Sequence, residues 1–373
     1  MRRLTTFTAL LLLSSCVSSG PEEYGAAIRF VDFSSDATMR CVPDDKIRGV
    51  TVGIIEENRL PVAGYGSPEC AWALEEIQDL GADWVTITPY VSMMSCDDTK
   101  IVPYFEFPRE RMEEMVVGAV RQAREMGLKV FLVPHVYPWD WCWRGDLRPG
   151  GGPLGTEEGW NAWFDSYGAY MRGLAETAAR EGVEMLSIGV EFKSGTERHG
   201  YLFSGLAQDL RTVYPGLLTY CANWDEAEDV SFWEDLDYIG INAFYPMSTT
   251  DKETQEEAVA MMRSITADLE RISRTHQKPI LFTEVGFKAL KGSLKEPWIW
   301  PEYVEAPVVD DNLQAMAFDV TFQALWDKPW FAGLFVWRYM SDPSDYSQEA
   351  PYGYPPRLKP AEKVIESWLR CGM

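Results

Sequence analysis

Apolar runs alternating with amphipathic stretches constrain this chain more than any other feature. The runs are Ile47–Gly53, Asp83–Tyr90, Leu128–Val136, Val183–Phe192, Leu217–Ala222, Asp237–Phe244, Pro279–Phe287 and Ala332–Arg338. Apolar residues recur at helical spacing in Pro68–Leu80, Pro108–Met126, Trp160–Arg180, His199–Tyr214, Glu253–His276, Asn312–Trp326 and Pro360–Leu369. Gly81 and Gly127 stop the first two of these, as glycines that accept a left-handed backbone do. Ile280, Leu281 and Phe282 lack the polar alternation of a half-solvated strand, which is the mark of a strand covered on both faces. Eight strand units in one chain, with no glycine-rich nucleotide fingerprint after the first, predict a single-domain (β/α)8 barrel rather than an open doubly wound sheet.

Two of the runs end in an acid. Glu284 follows Ile280-Leu-Phe-Thr283, and Gly286 then lets the chain turn away; Glu191 follows Leu186-Ser-Ile-Gly-Val190, and Lys193-Ser194-Gly195 reads as the opening of a loop. On the eight-strand count these are the ends of strands 4 and 7, at the barrel face where chemistry collects. A carboxylate in an apolar setting must be paired, protonated or in use, because desolvating a lone charge is costly. Two converging carboxylates are the minimum equipment for glycoside hydrolysis, whereas an ion pair with Arg48 or Arg338 would make them structural. Glu197, Glu296 and the many helix acids read as solvated surface.

The 373 residues, 46% of them hydrophobic, suffice for one large core. A formal net charge of -23 disfavours nucleic acid and anionic lipid as partners and is indifferent to a neutral ligand. The start, Met1-Arg-Arg-Leu4 followed by an apolar segment and small residues, reads as an export signal, too short to span a bilayer. Leu13-Ser-Ser-Cys16 resembles the lipobox of bacterial lipoproteins. That resemblance implies cleavage after residue 15, a lipid on Cys16 and attachment to the cell envelope, the alternative being an ordinary secretory signal with a chance cysteine. Residues 1–15 are then the signal, 16–45 a tether and a cover for the barrel floor, and 46–373 the catalytic domain.

Of the seven cysteines, six remain beyond Cys16: Cys41, Cys70, Cys96, Cys142, Cys221 and Cys371. Export permits disulfides, and six cysteines allow fifteen connectivities, although Cys96 and Cys142 fall in neighbouring loops and could clamp each other. Three histidines and no CxxC pair argue against a zinc or redox site, so no metal or cofactor is expected.

Acids ending strands 4 and 7 are similar to those of clan A glycoside hydrolases. A closer resemblance, to glycoside hydrolase family 113, whose characterised members are mostly β-1,4-mannanases, rests on several motifs. They are Val133-Pro-His135, Trp143-Arg-Gly145, Gly189-Val-Glu191, Thr219-Tyr-Cys-Ala-Asn-Trp224, Asp237-Tyr-Ile-Gly-Ile-Asn-Ala-Phe-Tyr-Pro246, Leu281-Phe-Thr-Glu-Val-Gly-Phe287 and Gly333-Leu-Phe-Val-Trp337. The resemblance implies a retaining hydrolase of mannan or manno-oligosaccharides, with another β-glycan or a non-catalytic glycan-binding lipoprotein as alternatives. It implies Glu191 as acid/base holding a proton, and Glu284 as a charged, hydrogen-bonded nucleophile about 5 Å away. It also implies Tyr245 as hydrogen-bond partner of the nucleophile, Trp337 as the floor under the sugar, and glycan contacts from His135, Trp143, Arg144, Asn223, Trp224 and Asn242. The chain departs from the pattern at Val190, which offers no side-chain hydrogen bond, so a contact to the sugar 2-hydroxyl would fall to Asn223 or Asn242. A monomer is expected.

Overall fold

The computed structural model describes residues 46–53, 64–104, 108–250, 252–342 and 351–370. Eight parallel strands close into a barrel: β1 (Ile47–Gly53), β2 (Trp84–Ile87), β5 (Lys129–Leu132), β7 (Met185–Val190), β8 (Leu217–Asn223), β9 (Ile239–Asn242), β10 (Ile280–Val285) and β11 (Phe331–Met340). Neighbours in sequence are neighbours around the barrel, and β11 returns to β1. The helices are α1 (Pro68–Asp79), α2 (Arg109–Glu125), α3 (Glu157–Glu181), α4 (Lys193–Arg211), α5 (Gln255–His276), α6 (Asp311–Leu325) and α7 (Pro360–Leu369). Between β8 and β9 a 3-10 turn, Trp233–Asp235, takes the place of a helix. This is the (β/α)8 barrel that the alternating pattern predicts.

Every residue of β2, β7, β9 and β10 is buried, because one face of each strand packs inside the barrel and the other against helices. Ile47, Trp84, Phe131, Met185, Val190, Cys221, Leu281 and Phe335 fill the interior. Closure between β1 and β11 requires Gly49, since a Cβ there would lie 2.1 Å from Cδ1 of Phe335. The side chains of Ser67, Thr156, Thr254 and Asp310 cap α1, α3, α5 and α6 by accepting a backbone N–H of the first turn, each worth about 1 kcal/mol. No helix among the described residues is long and apolar enough to cross a membrane.

Two of the expected strands are each broken in two. The run expected over 83–90 stops at Ile87, and a separate β3 (Tyr90–Met93) begins after Pro89; the run over 128–136 stops at Leu132, and β6 (His135–Pro138) begins after Pro134. A proline has no N–H for the ladder and forces a break. Beyond it, β3 pairs with β6 and with β4 (Val102–Pro103) in a small second sheet at the C-terminal ends of β2 and β5. A further difference follows Glu191. The expected loop at Lys193–Gly195 is the first turn of α4, and the non-helical residue is His199, where the expected helix begins. Ser194 and Gly195 are weak helix formers, but Gly195 packs against Trp160, where a Cβ would come within 2.8 Å of the ring, so tertiary packing overrides propensity.

Candidate active site

Glu284 and Glu191 reach the same end of the barrel by different devices. Leu281 points into the barrel interior, and strict alternation would put Glu284 on the opposite face with Phe282. The pairing of β10 with β9 shifts register between Phe282 and Glu284, which sets Glu284 opposite Asn242 and breaks that alternation. Glu191 directly follows β7 with a left-handed backbone, φ 54°, and its N–H donates to the Cys221 carbonyl at 2.9 Å. A non-glycine residue held there is under strain that the surrounding hydrogen bonds must offset.

Asn242 joins the two acids. The Thr283 hydroxyl donates to its Oδ1 at 2.9 Å, which leaves the amide N–H group to donate to Oε1 of Glu191 at 3.0 Å. The same amide also favours the charged form of Glu284. The other Glu191 oxygen, Oε2, accepts from the Trp143 indole at 3.4 Å. Neither acid is tied to Arg48, which pairs with Asp83 at 3.0 Å.

His135 is buried and stacks on Trp337, with ring centroids 6.1 Å apart and planes 11° from parallel. Its Nδ1 lies 2.8 Å from the Arg144 guanidinium, which can only donate, so Nδ1 is the acceptor and the proton sits on Nε2. That Nε2 faces Oε1 of Glu284 at 3.6 Å. Both atoms are buried with no closer partner, so a movement of a few tenths of an ångström completes the hydrogen bond. Burial holds the imidazole well below its ordinary pKa, and the charges of Arg144 and Arg338 add to the shift, so His135 is neutral.

Burial pushes the Glu284 carboxyl well above the ordinary carboxylate range, and the neighbouring charge of Glu191 adds to this, against the pull of Arg144, Arg338 and Asn242. Burial at this position thus opposes the charge that the resemblance implies for Glu284.

The Tyr245 expectation is corrected. Its ring packs on Phe282 (6.2 Å) and Trp224 (5.8 Å), on the face of β10 turned away from Leu281, and its hydroxyl makes no hydrogen bond with Glu284. The tyrosine beside the acids is Tyr90, 5.2 Å from His135 ring to ring. Burial raises its phenol pKa against the pull of Arg338 and Arg144, with Glu284 adding to the rise, so Tyr90 stays protonated. It stands at the end of an expected strand, the same signal that marked the glutamates, and could have been found that way. The Arg338 guanidinium lies over the rings of Trp337 (4.8 Å) and Trp300 (5.1 Å).

Trp224 packs against the cluster of Phe244, Trp337 and Tyr354 and stacks on the exposed Trp298 at 5.5 Å. Asn223 is engaged within its own loop: its amide donates to Asp225 at 2.9 Å, and its Oδ1 accepts from the Trp224 N–H at 3.0 Å. The structure therefore brings Glu191, Glu284, Asn242, His135, Trp143, Arg144 and Trp337 together, keeps Trp224 and Asn223 at the margin, and sets Tyr245 against Trp224 with no hydrogen bond to Glu284.

Cys96 and Cys142 form the disulfide that their loop positions suggested, with Cα atoms 6.0 Å apart. Closing a loop of this length is worth about 4 kcal/mol on chain-entropy grounds. The bond also anchors the segment carrying Trp143 and Arg144. Asp140 braces both ends of it, accepting from the N–H of Cys96 and of Cys142 at 3.2 Å each. Cys70 and Cys221 are buried free thiols. Cys16, Cys41 and Cys371 lie outside the described residues, as do the signal, the tether and the expected floor cover.

The family model for glycoside hydrolase family 113 matches residues 61–352. A solved family 113 β-mannanase from Alicyclobacillus acidocaldarius, in complex with ManMIm, is 29% identical, with a TM-score of 0.74 over 87% of this chain and 97% of its own. A second, a complex of a family 113 β-1,4-mannanase, is 23% identical, with a TM-score of 0.73 over 87% of this chain and 99% of its own. A family 2 β-galacturonidase from Eisenbergiella tayi shares the fold at 16% identity, with a TM-score of 0.53 over 87% of this chain and 51% of its own. No curated protein matches the chain.

Proposed function

This chain belongs to glycoside hydrolase family 113, and on that premise we propose that it is a retaining hydrolase of β-1,4-mannosidic bonds in mannan or manno-oligosaccharides. Membership makes it a glycoside hydrolase acting on polysaccharide or oligosaccharide; the sugar, the stereochemistry and the residue roles are our reading. One observation carries it: the Asn242 amide donates to Glu191 while Asn242 itself stands opposite Glu284 in register, which gathers two carboxyls from separate strands in an aromatic-lined mouth.

In the reaction we envisage, the reactive form carries the proton on Glu191 and the charge on Glu284, which Arg144, Arg338 and Asn242 favour against burial; Glu191 gives that proton to the leaving glycosidic oxygen while Glu284 attacks the anomeric carbon, forming a covalent glycosyl ester. Glu191, now charged, takes a proton from water; that water attacks the same carbon, releases Glu284 and leaves the product with its original configuration. Asn242 steadies Glu191, and the Nε2–H of His135 stabilises the negative charge on Glu284. Trp337 offers a flat apolar face to the C–H side of the ring. Arg144 fixes the His135 tautomer, and Trp143 donates to Glu191. The pair needs one proton, so kcat/KM falls on both sides of an intermediate pH.

Hydrolysis of purified β-mannan, followed by proton nuclear magnetic resonance, tests this reading: β-configured reducing ends appear first and mutarotate later. First appearance of the α-anomer would refute retention, and activity confined to another β-glycan would refute the substrate. We further propose an exported lipoprotein anchored through Cys16, for which the Cys96–Cys142 disulfide is supporting chemistry. Cys16→Ser should move the protein from the membrane fraction to the soluble one, and an unchanged distribution would exclude the anchor.

A further inference from the structure

A further carboxyl, fully buried, lies close to Glu191 and has no part in the reaction above. Glu226, 1% exposed, sits in the turn after β8. Its Oε1 accepts from the Tyr220 hydroxyl at 2.8 Å and the Thr196 hydroxyl at 2.6 Å, and its Oε2 accepts from the Asn223 N–H at 2.9 Å. Tyr220, itself fully buried, accepts in turn from the N–H of Phe192 at 2.6 Å. Phe192 follows Glu191, so the strained residue is held from both sides by β8: its own N–H by the Cys221 carbonyl, and the next N–H by the Tyr220 phenol.

A phenol has one proton to give. When Glu226 takes that proton's hydrogen bond, the Tyr220 oxygen turns its lone pairs to Phe192. We infer that Glu226 is a positioning residue that fixes the left-handed backbone of Glu191 through Tyr220, and so aims the acid at the leaving oxygen. The inference rests on Glu191 being the acid, as proposed above.

The arrangement depends on the charge of Glu226. Burial pushes its carboxyl up to about 7, opposed by the bonds from Thr196, Asn223 and Tyr220, with the charge of Glu191 adding to the rise. The charged and titratable groups that bear on it are Glu191 after β7, Lys193 on α4, and Tyr220 on β8. Once protonated, Glu226 donates to Thr196, whose hydroxyl can turn to the Lys193 carbonyl at 3.1 Å, and Tyr220 is left with a neutral carboxyl, a weaker acceptor than the carboxylate. Glu226→Gln reproduces that neutral state, with its oxygen on the Asn223 N–H and its amide on Thr196.

Two substrates decide the matter: a manno-oligosaccharide, whose leaving group needs a proton, and a 2,4-dinitrophenyl β-mannoside, whose leaving group does not. On the first, Glu226→Gln should lower kcat about tenfold at about pH 8 and far less at about pH 5, where the parent is itself neutral at this position. On the second, the glycosylation step should barely change. Tyr220→Phe should give the same selective loss, and the double variant no more than either single one. Equal losses on both substrates, or a deficit independent of pH, would mean a merely structural role. A crystal structure of Glu226→Gln gives a readout independent of activity. Glu191 should leave the left-handed region or occupy two positions, and an unmoved Glu191 would overturn the inference even if the substrate class proves wrong. A parent inactive on mannan would defeat the substrate assignment alone.

Discussion

Glu284→Ala is expected to abolish turnover while leaving glycan affinity intact. Without the carboxylate no glycosyl ester forms, and losing a nucleophile outright costs roughly 10^5-fold in kcat, or about 7 kcal/mol of transition-state stabilisation. Affinity survives because the aromatic surfaces of Trp337, Trp224 and Trp298 are untouched. Calorimetric titration with manno-oligosaccharide and single-turnover kinetics check the two halves, and a variant turning over at the parental rate would remove Glu284 from the mechanism.

The isosteric Glu284→Gln should also stabilise the protein, and the sign follows from burial. The folded-state pKa of Glu284 lies above its unfolded value, so this group's contribution to stability is fully present below the unfolded value and is lost as pH rises through the folded one. Glutamine never ionises, so its advantage in melting temperature should be small in acid and widen as pH rises. Stability gained at the expense of activity is common where a site holds a poorly solvated group.

Glu191→Ala is expected to produce a loss whose size depends on the leaving group. A manno-oligosaccharide needs a proton on its departing oxygen and should lose about 10^4-fold, whereas a dinitrophenyl glycoside should form the glycosyl ester at near-parental rate and then stall, because no base activates water. Azide, which needs no base, should restore turnover and yield the β-glycosyl azide. With Glu284→Ala, rescue would come from the opposite face and yield the α-azide. Product analysis by nuclear magnetic resonance separates the two, and an α-azide from Glu191→Ala would exchange the proposed roles.

The sequence made Glu191 and Glu284 legible because an acid at the end of an apolar run is chemically conspicuous. Tyr245 and Tyr90 depart from the sequence expectation for one reason: linear position says where a strand ends but not which way the next side chain turns. The register shift between Phe282 and Glu284 turns the acid toward Asn242 and leaves Tyr245 against Phe282. Pro89 and Pro134 end the ladders of β2 and β5 and send Tyr90 and His135 into a second sheet, where they meet. The prolines were visible; the pairing beyond them was not.

What the sequence alone determined was the layered barrel and the presence of two acids at its chemical end, because burial periodicity and strand count are local properties that add along the chain. The tertiary structure decided everything that depends on which groups face one another. It put the Asn242 amide against Glu191, set burial against the charge of Glu284, fixed the His135 tautomer through Arg144, and ran a line of hydrogen bonds from Glu226 to Phe192. Charge state and tautomer follow from solvent exclusion and short contacts between distant segments, and those exist only once the barrel has closed.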